Sequence, residues 1–481
     1  MTIYLIKKDN LEDKKHYVRQ GHPLGGSGSN QSGYRALGEA QLLFIGGRYV
    51  GSSDGATFPV TNPMTGDMLY DFASATTADY TRAIEAAHDA FQSWSRTGPS
   101  ARRLVLLRAA DILETYIDQD APELLSSEVS AIRACAMLNV LSTVNVLRDV
   151  VGLATYIKGE IVPAWDDDIS REAGSCPLIC GNTIVLKPSE FSPKSQHLVV
   201  RALNQAGLPP GCGCLNYLPT SPARTPAVTE HEVKHPMVQR INFTGSDRVG
   251  RIIAGWASEV LKRCVLELGG KAPVIVLEDV DVTEAVEAVV FGAMSNSGQF
   301  ACITFQVMEN STEKVGNRST ERVIVHKSIM GQFRSAVEKG AKVIAGDMSI
   351  TGPNKTIMRP HVLEGVTPEM DVFYKESFGP IRCLFGFDTE EQAIASANNS
   401  DFSLCASIFS RDTMRALDIA RRVRAGSCHV NGPTVYIEAT LPNGGVGGSS
   451  GYGRFGGIAG VEEFTQRKII SLASPGQMYN I

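Results

Sequence analysis

Short, continuous apolar runs alternate along this chain with longer stretches in which apolar residues recur every three or four positions. Thr183-Ile184-Val185-Leu186 and Ala272-Pro273-Val274-Ile275-Val276-Leu277 are of the first kind, and so short an unbroken run predicts a strand buried on both faces, as in a parallel sheet. Arg240-Ile241-Asn242-Phe243 predicts another strand. Ala83, Ala87, Ala90 and Trp94 mark one helical face, and Leu104, Leu107, Ala110, Ile112 and Leu113 a second. Asp281 reads as an N-cap with Glu284 at the capping-box position, so a helix is expected from about Val282. Along it Val282, Val286, Val289 and Ala293 recur, and Asn296-Ser297-Gly298 supplies the stop.

Two of these segments frame the candidate chemistry. Val265-Leu266-Glu267-Leu268-Gly269-Gly270-Lys271 sets a carboxylate among apolar residues; desolvation there favours the protonated form and suits Glu267 to proton transfer near neutrality. Downstream, Asn296-Ser297-Gly298-Gln299-Phe300-Ala301-Cys302 offers a thiol. A helix starting at Cys302 would favour its thiolate and make it the reactive one among ten cysteines. Either residue alone reads as structural. Together, in this order, they read as a base and a nucleophile.

Composition narrows the class. The chain has 481 residues, 43% hydrophobic and 20% charged, enough for two or more cores. A net charge of −5 gives no basic field for nucleic acid, and no apolar run approaches the ~20 residues a membrane span needs. The scattered cysteines fit a reducing compartment. The only tight pairs, Cys212 with Cys214 and Cys176 with Cys180, lack a second pair at zinc-ribbon spacing, so no metal site is expected. His231 and His235 read as a solvated helical face. The charged, then Gly/Ser-rich stretch over residues 1–40 predicts a disordered extension; its acids, Asp9, Glu12 and Asp13, argue against mitochondrial targeting and for the cytoplasm.

Glu-Leu-Gly-Gly-Lys followed by Gly-Gln and a Cys resembles the aldehyde dehydrogenase superfamily, and from Leu42 the likeness is almost continuous. It implies an α/β fold with a Rossmann-type NAD(P)-binding domain over 41–266, including an oligomerisation hairpin near 155–172. A catalytic α/β domain over 267–440 and a C-terminal return segment with a small β oligomerisation arm over 441–481 complete it. The implied base and nucleophile are Glu267 and Cys302. Lys187 and Glu190, after the strand Thr183–Leu186, would hold the adenosine ribose; Gly245, Ser246 and Gly250 would meet the pyrophosphate. Glu376 would contact the nicotinamide ribose, and Phe378 would pack beside that ring. No Gly-x-Gly-x-x-Gly occurs near these strands, and a carboxylate at Glu190 repels a 2′-phosphate, so NAD is favoured, with NADP possible. Cys428-His429-Val430-Asn431 and Gly451-Tyr452-Gly453-Arg454 look most like the salicylaldehyde and vanillin branch, implying oxidation of an aromatic aldehyde by a homodimer or homotetramer.

The likeness has gaps. Between Gly174 and Pro177 the family has a strand, a Pro-Trp-Asn turn and most of a helix, and that turn carries an oxyanion-hole asparagine. Asn182 belongs to the next segment and does not replace it. Two residues, Phe300 and Ala301, separate Gln299 from Cys302 where the family has one. Ile303 to Ser319 is an insertion, a helical segment is missing after Met330, and Asn443 stands where relatives have Phe. These departures define the alternative expectation, a nucleotide-binding relative impaired in catalysis.

Overall fold

The computed structural model describes residues 2–6, 41–156, 171–172, 178–209, 213–295, 319–332, 350–436, 441–466 and 468–469. In chain order the early strands are β1 (Thr2–Ile6), β2 (Leu43–Ile45), β3 (Arg48–Val50), β4 (Thr57–Thr61), β5 (Met68–Ala73) and β6 (Arg171–Glu172). Next come β7 (Thr183–Lys187), β8 (Leu215–Tyr217), β9 (Val238–Thr244), β10 (Arg263–Glu267), β11 (Ala272–Val276) and β12 (Thr320–His326). The last are β13 (Ile350–Thr351), β14 (Ile357–Met358), β15 (His361–Glu364), β16 (Ile381–Phe387), β17 (Cys405–Phe409), β18 (Ser427–Val430), β19 (Gly451–Tyr452) and β20 (Lys468–Ile469). The helices that matter here are α1 (Thr77–Trp94), α2 (Pro99–Thr115), α3 (Ala121–Val129), α4 (Arg133–Gly152) and α5 (Pro193–Gln205). They continue with α6 (Thr225–Lys234), α7 (Asp247–Glu259), α8 (Val282–Met294), α9 (Glu390–Asn398) and α10 (Thr413–Arg422).

One sheet has eight strands in the order β19-β10-β9-β1-β7-β8-β2-β3, and a second has six in the order β15-β16-β12-β11-β17-β18. Every pairing in the second is parallel. Within the first, β7–β8 and β9–β10 are parallel units, each closed by a helix. Alternation along the strands explains the layers. Val274 and Val276 of β11 pack with Val286 and Val289 of α8, while Ile275 and the adjacent Leu277 pack with Ala393 and Ile394 of α9 and Ala416 and Ile419 of α10. With helices on both faces, every position of β11 is buried and is therefore apolar. The same rule holds for β7, where Val185 faces one core and Ile184 and Leu186 the other.

Local signals set several boundaries. The Asp281 side chain accepts from the backbone N–H groups of Thr283 and Glu284 at 2.9 and 3.2 Å, so α8 starts at Val282 as expected. Thr76 and Asp79 form a reciprocal cap at the start of α1, whose buried stripe includes Ala83, Ala87, Ala90 and Trp94. On α2 the face is wider than expected and loses one member: Leu104 is 53% exposed, Leu107, Ala110, Ile112 and Leu113 pack on the core, and Val105, Leu106 and Ala109 join them. Length and apolar composition alone would let α4 cross a membrane. Instead Ala136, Val140, Val144, Leu147 and Val151 pack into the core shared with α2.

One finding departs from expectation. Thr2–Ile6, placed in a disordered extension by composition, form β1 between β7 and β9, antiparallel to both. A second feature is the tail strand β20, which pairs with β6, at the expected hairpin, in the same chain. The return segment also supplies β19, which pairs with β10 at Leu266 and Glu267.

Glu128, at the end of α3, is buried and caps α5 from outside: its Oε1 accepts from Lys194 N at 3.0 Å and its Oε2 from Ser195 N at 2.9 Å. Burial outweighs these bonds and pushes its carboxyl up from 4.5 to about 7. A raised carboxylate gives stability that is full below the unfolded value and is lost as pH rises through the folded one. Stability should therefore fall between pH 4.5 and about 7. Glu128→Gln should flatten that slope, by a few kcal/mol at most since one pKa unit is about 1.4 kcal/mol. Urea midpoints at pH 5 and pH 8 measure it; equal slopes in both proteins would refute it.

Candidate active site

The site is built at the carboxyl ends of β7, β9 and β10, which lie level. Lys187 pairs with Thr2, Thr2 with Phe243, and Phe243 with Leu266, so one lateral ladder crosses the sheet just below the rim. Past it stand Glu267 at the end of β10, Gly245 and Ser246 after β9, and Glu190 after β7.

Glu267 is 2% exposed, and its neighbours Val265, Leu266 and Leu268 are buried as the sequence implied. Its backbone carbonyl accepts from Gly245 N at 3.2 Å, which ties the candidate pyrophosphate turn to the candidate base. Ser246 caps α7, its hydroxyl accepting from Val249 N at 3.4 Å. Gly250, one turn in, lies against Leu268: a Cβ there would sit 2.4 Å from a Leu268 methyl. Only glycine lets α7 approach this closely. Lys187 is buried, its Nζ donating to Pro188 O at 2.8 Å and standing 3.7 Å from Glu190 Oε2.

Beyond Glu267 the chain crosses Leu268-Gly269-Gly270-Lys271 into β11. Glu376 Oε1 accepts from Gly270 N at 3.0 Å, so the residue expected at the nicotinamide ribose is seated on the turn next to the candidate base. A Cβ on Gly269 would come within 3.0 Å of the other Glu376 oxygen and 2.6 Å of the Phe402 ring. Phe378 is buried with φ of 46°, a left-handed conformation that a bulky residue adopts only under constraint. Glu321 provides the constraint, accepting from Ser377 N at 3.0 Å and Phe378 N at 3.3 Å.

Glu321 also pairs with Lys271 at 2.6 Å, both side chains fully buried. Arg322 beside it donates to Lys271 O, Ser396 O and Ala397 O at 3.1, 2.9 and 2.8 Å. Burial lowers the Arg322 guanidinium to about 10. Sequence reasoning assigned Lys271 no role and missed Glu321 and Arg322. A usable signal was there: all three charges abut runs that read as fully buried strands, where a charge needs a partner.

Seven of the nine expected site residues thus converge on two neighbouring places. Glu267, Gly245, Ser246, Gly250 and Glu376 surround the β10 end, and Lys187 with Glu190 stands across β1 from it. Phe378 is held on the Glu321 side of the same turn. Cys302 and residues 303–318 of the insertion lie outside the described residues, as does the gap at 173–177. Asn182 is engaged elsewhere, donating to Phe464 O at 3.1 Å. Asn443 is buried in backbone pairing with Phe455, its N and O bonded at 2.7 and 2.8 Å.

Lys271→Met should destabilise the protein strongly, because it leaves Glu321 charged and buried without its cation; such a loss costs roughly 3–5 kcal/mol. Urea unfolding of the variant measures it. A change below about 1 kcal/mol, the range of exposed pairs, would mean that the ion pair is not the anchor of this turn.

The Aldehyde dehydrogenase family matches the chain over residues 49–173, 169–335 and 324–470. A vanillin dehydrogenase of Pseudomonas sp. (strain HR199 / DSM 7063) is 37% identical over 485 residues, covering 91% of this chain and 99% of that protein. The crystal structure of a salicylaldehyde dehydrogenase from Pseudomonas putida G7 complexed with salicylaldehyde superposes with a TM-score of 0.82 at 33% identity, covering 92% of this chain and 100% of that one. The crystal structure of PnpE in complex with nicotinamide adenine dinucleotide gives 0.80 at 27% identity, covering 91% and 98%. With matches that run from residue 49 to residue 470 and a fold shared along nearly the whole of solved members, this chain belongs to the aldehyde dehydrogenase family.

Proposed function

We propose that this chain catalyses NAD(P)-dependent oxidation of an aldehyde to the carboxylic acid, with aromatic aldehydes as the substrate class and NAD as the cofactor. The observation that carries the reading is the buried Glu267 carboxylate at a sheet rim shared with Gly245, Ser246, Lys187 and Glu190, one turn before the Gly270 amide that Glu376 holds. The names of the relatives, which concern vanillin and salicylaldehyde, support the aromatic class. The comparisons give no support to an inactive relative; the missing Pro-Trp-Asn asparagine bears on how fast this chain turns over. The absence of a nucleic-acid-binding charge field, a cytoplasmic location and a homodimeric or homotetrameric state complete the reading.

The residues present fit a dinucleotide. At position 245 an added Cβ would meet the Phe243 ring at 2.4 Å, so glycine fits the turn that leads into the first N–H groups of α7. Those N–H groups suit a pyrophosphate. Glu190 and Lys187 stand together at the β7 end, where they would hold ribose hydroxyls, and Glu376, seated on the Gly270 turn, with Phe378 would serve the nicotinamide end. Bound NAD would supply the acceptor for the hydrogen and two electrons that leave the aldehyde carbon. The Cys302 thiolate adds to the carbonyl carbon, forming a C–S bond and a thiohemiacetal, which oxidation converts to the thioester. Glu267 then takes a proton from water; the water oxygen adds to the thioester carbon, the C–S bond breaks, and acid and thiolate are released.

Incubation with vanillin or salicylaldehyde and NAD, followed by NADH absorbance, tests the proposal. With the Pro-Trp-Asn asparagine missing, turnover should lie about 10²- to 10³-fold below a typical ~10 s⁻¹. NAD should bind more tightly than NADP in calorimetry, because Glu190 repels a 2′-phosphate. Equal or tighter NADP binding would overturn the cofactor assignment, and no NADH from either aldehyde would overturn the activity.

Thiol reactivity gives an independent check. Burial pushes Cys264 up to about 11 and Cys428 up to about 12, so both stay protonated at neutral pH. Cys302, if it is the nucleophile, should be alkylated by iodoacetamide about tenfold faster than these or Cys383, since the thiolate is the reacting form. Mass spectrometry of partly labelled protein ranks them; a Cys302 no faster than Cys383 would exclude it as the nucleophile.

A further inference from the structure

In a doubly wound sheet the strand order reverses beside the first strand of the series, and the dinucleotide sits over that reversal. Here the two parallel units β7–α5–β8 and β9–α7–β10 run outward in opposite directions from one slot, in the order β10-β9-β1-β7-β8. The strand missing between Gly174 and Pro177 would have entered β7 through a helix. Since β8 already occupies one side of β7, a right-handed crossover assigns the missing strand to the other side, next to β9. That slot holds β1 instead, running the opposite way: Thr2 to Ile6 pair with Lys187 to Thr183 on one side, and Thr2 to Leu5 with Phe243 to Arg240 on the other.

We propose that Thr2–Ile6 is a docked keystone strand that replaces the missing central strand, and that dinucleotide binding requires it to be in place. The inference rests on the cofactor reading above. Neighbouring strands lie about 4.8 Å apart, so β1 holds Lys187 and Phe243 at two spacings, about 9.6 Å, and with them the ribose and pyrophosphate contacts. Without it the facing N–H and C=O groups of β7 and β9 lose their partners in a sheet covered on both faces. The rim then either opens or closes by one spacing, and Lys187 no longer lies at a dinucleotide's span from Gly245. The strand is held by main-chain ladders on both edges, and residues 7–40 separate it in sequence from the next described residue. Such a strand is replaceable by a peptide added from solution, as in β-strand addition.

The test uses the full chain with Tyr4→Pro and Leu5→Pro. Consecutive residues donate to opposite neighbours, so the pair removes one ladder donor toward β7 and one toward β9. The variant should bind NAD at least about tenfold more weakly in calorimetry, the equivalent of about 1.4 kcal/mol. Amides of β7 and β9 should lose hydrogen-exchange protection while those of β12 and β16 in the other sheet keep theirs. A peptide of residues 1–9 should restore both. NAD affinity within twofold of the unsubstituted chain would overturn the proposal, as would a loss the peptide does not restore or loss of protection throughout both sheets. If the unsubstituted chain binds no NAD, the cofactor reading and the dependence built on it both fail, while exchange at β7 and β9 with and without peptide still decides whether the strand docks.

Discussion

A buried cation and anion hold the candidate site together. Lys271 and Glu321 meet at 2.6 Å with neither exposed, and isolating either charge in such surroundings would cost several kcal/mol. What makes the pair useful is its position. Lys271 ends the turn that begins at Glu267, and Glu321 opens β12 and binds the amides of Ser377 and Phe378. The next residue back, Glu376, returns to Gly270. Three segments far apart in sequence are locked in a closed ring of charge-assisted bonds, and the left-handed Phe378 is tolerated because that ring dictates its backbone.

Close backbone approach is the second constraint. Around Glu267 the packing leaves little room for side chains. Gly250 lets α7 lie on Leu268, and Gly269 admits Phe402 and Glu376. The carboxylate consequently sits among Val265, Leu266 and Leu268 with its backbone tied to Gly245 on one side and to β19 on the other. A candidate base fixed in this way depends on the main-chain geometry of the eight-stranded sheet, so displacing β9 or β19 moves it.

Charge management elsewhere follows the same rule. Arg322, its guanidinium lowered to about 10 by burial, satisfies three carbonyls around the ring. Glu128, raised to about 7, closes the open end of α5, the helix that follows the Lys187–Glu190 rim. In each case a buried polar group substitutes for bonds that helix ends and strand ends would otherwise take from water.

By itself the sequence determined what depends on local order. Unbroken apolar runs reported the doubly covered strands β7 and β11, Asp281 reported the start of α8, and the residues flanking Glu267 reported its apolar surroundings. These follow from burial and capping, which act within a few residues. The motif at Glu267 also carried the family. The tertiary structure alone decided which distant partners meet: Glu321 with Lys271, Glu376 with Gly270, and Thr2–Ile6 with β7 and β9. It also turned Leu104 outward on a helix whose other expected positions pack into the core. Composition read β1 as disordered because the charges from Lys7 onward and the Gly/Ser run dominate residues 1–40 and mask the short apolar run Thr2–Ile6, whose partners lie far off in sequence. Periodicity reports that a residue is buried; the partner that makes a buried charge or a lone strand stable is chosen by the fold.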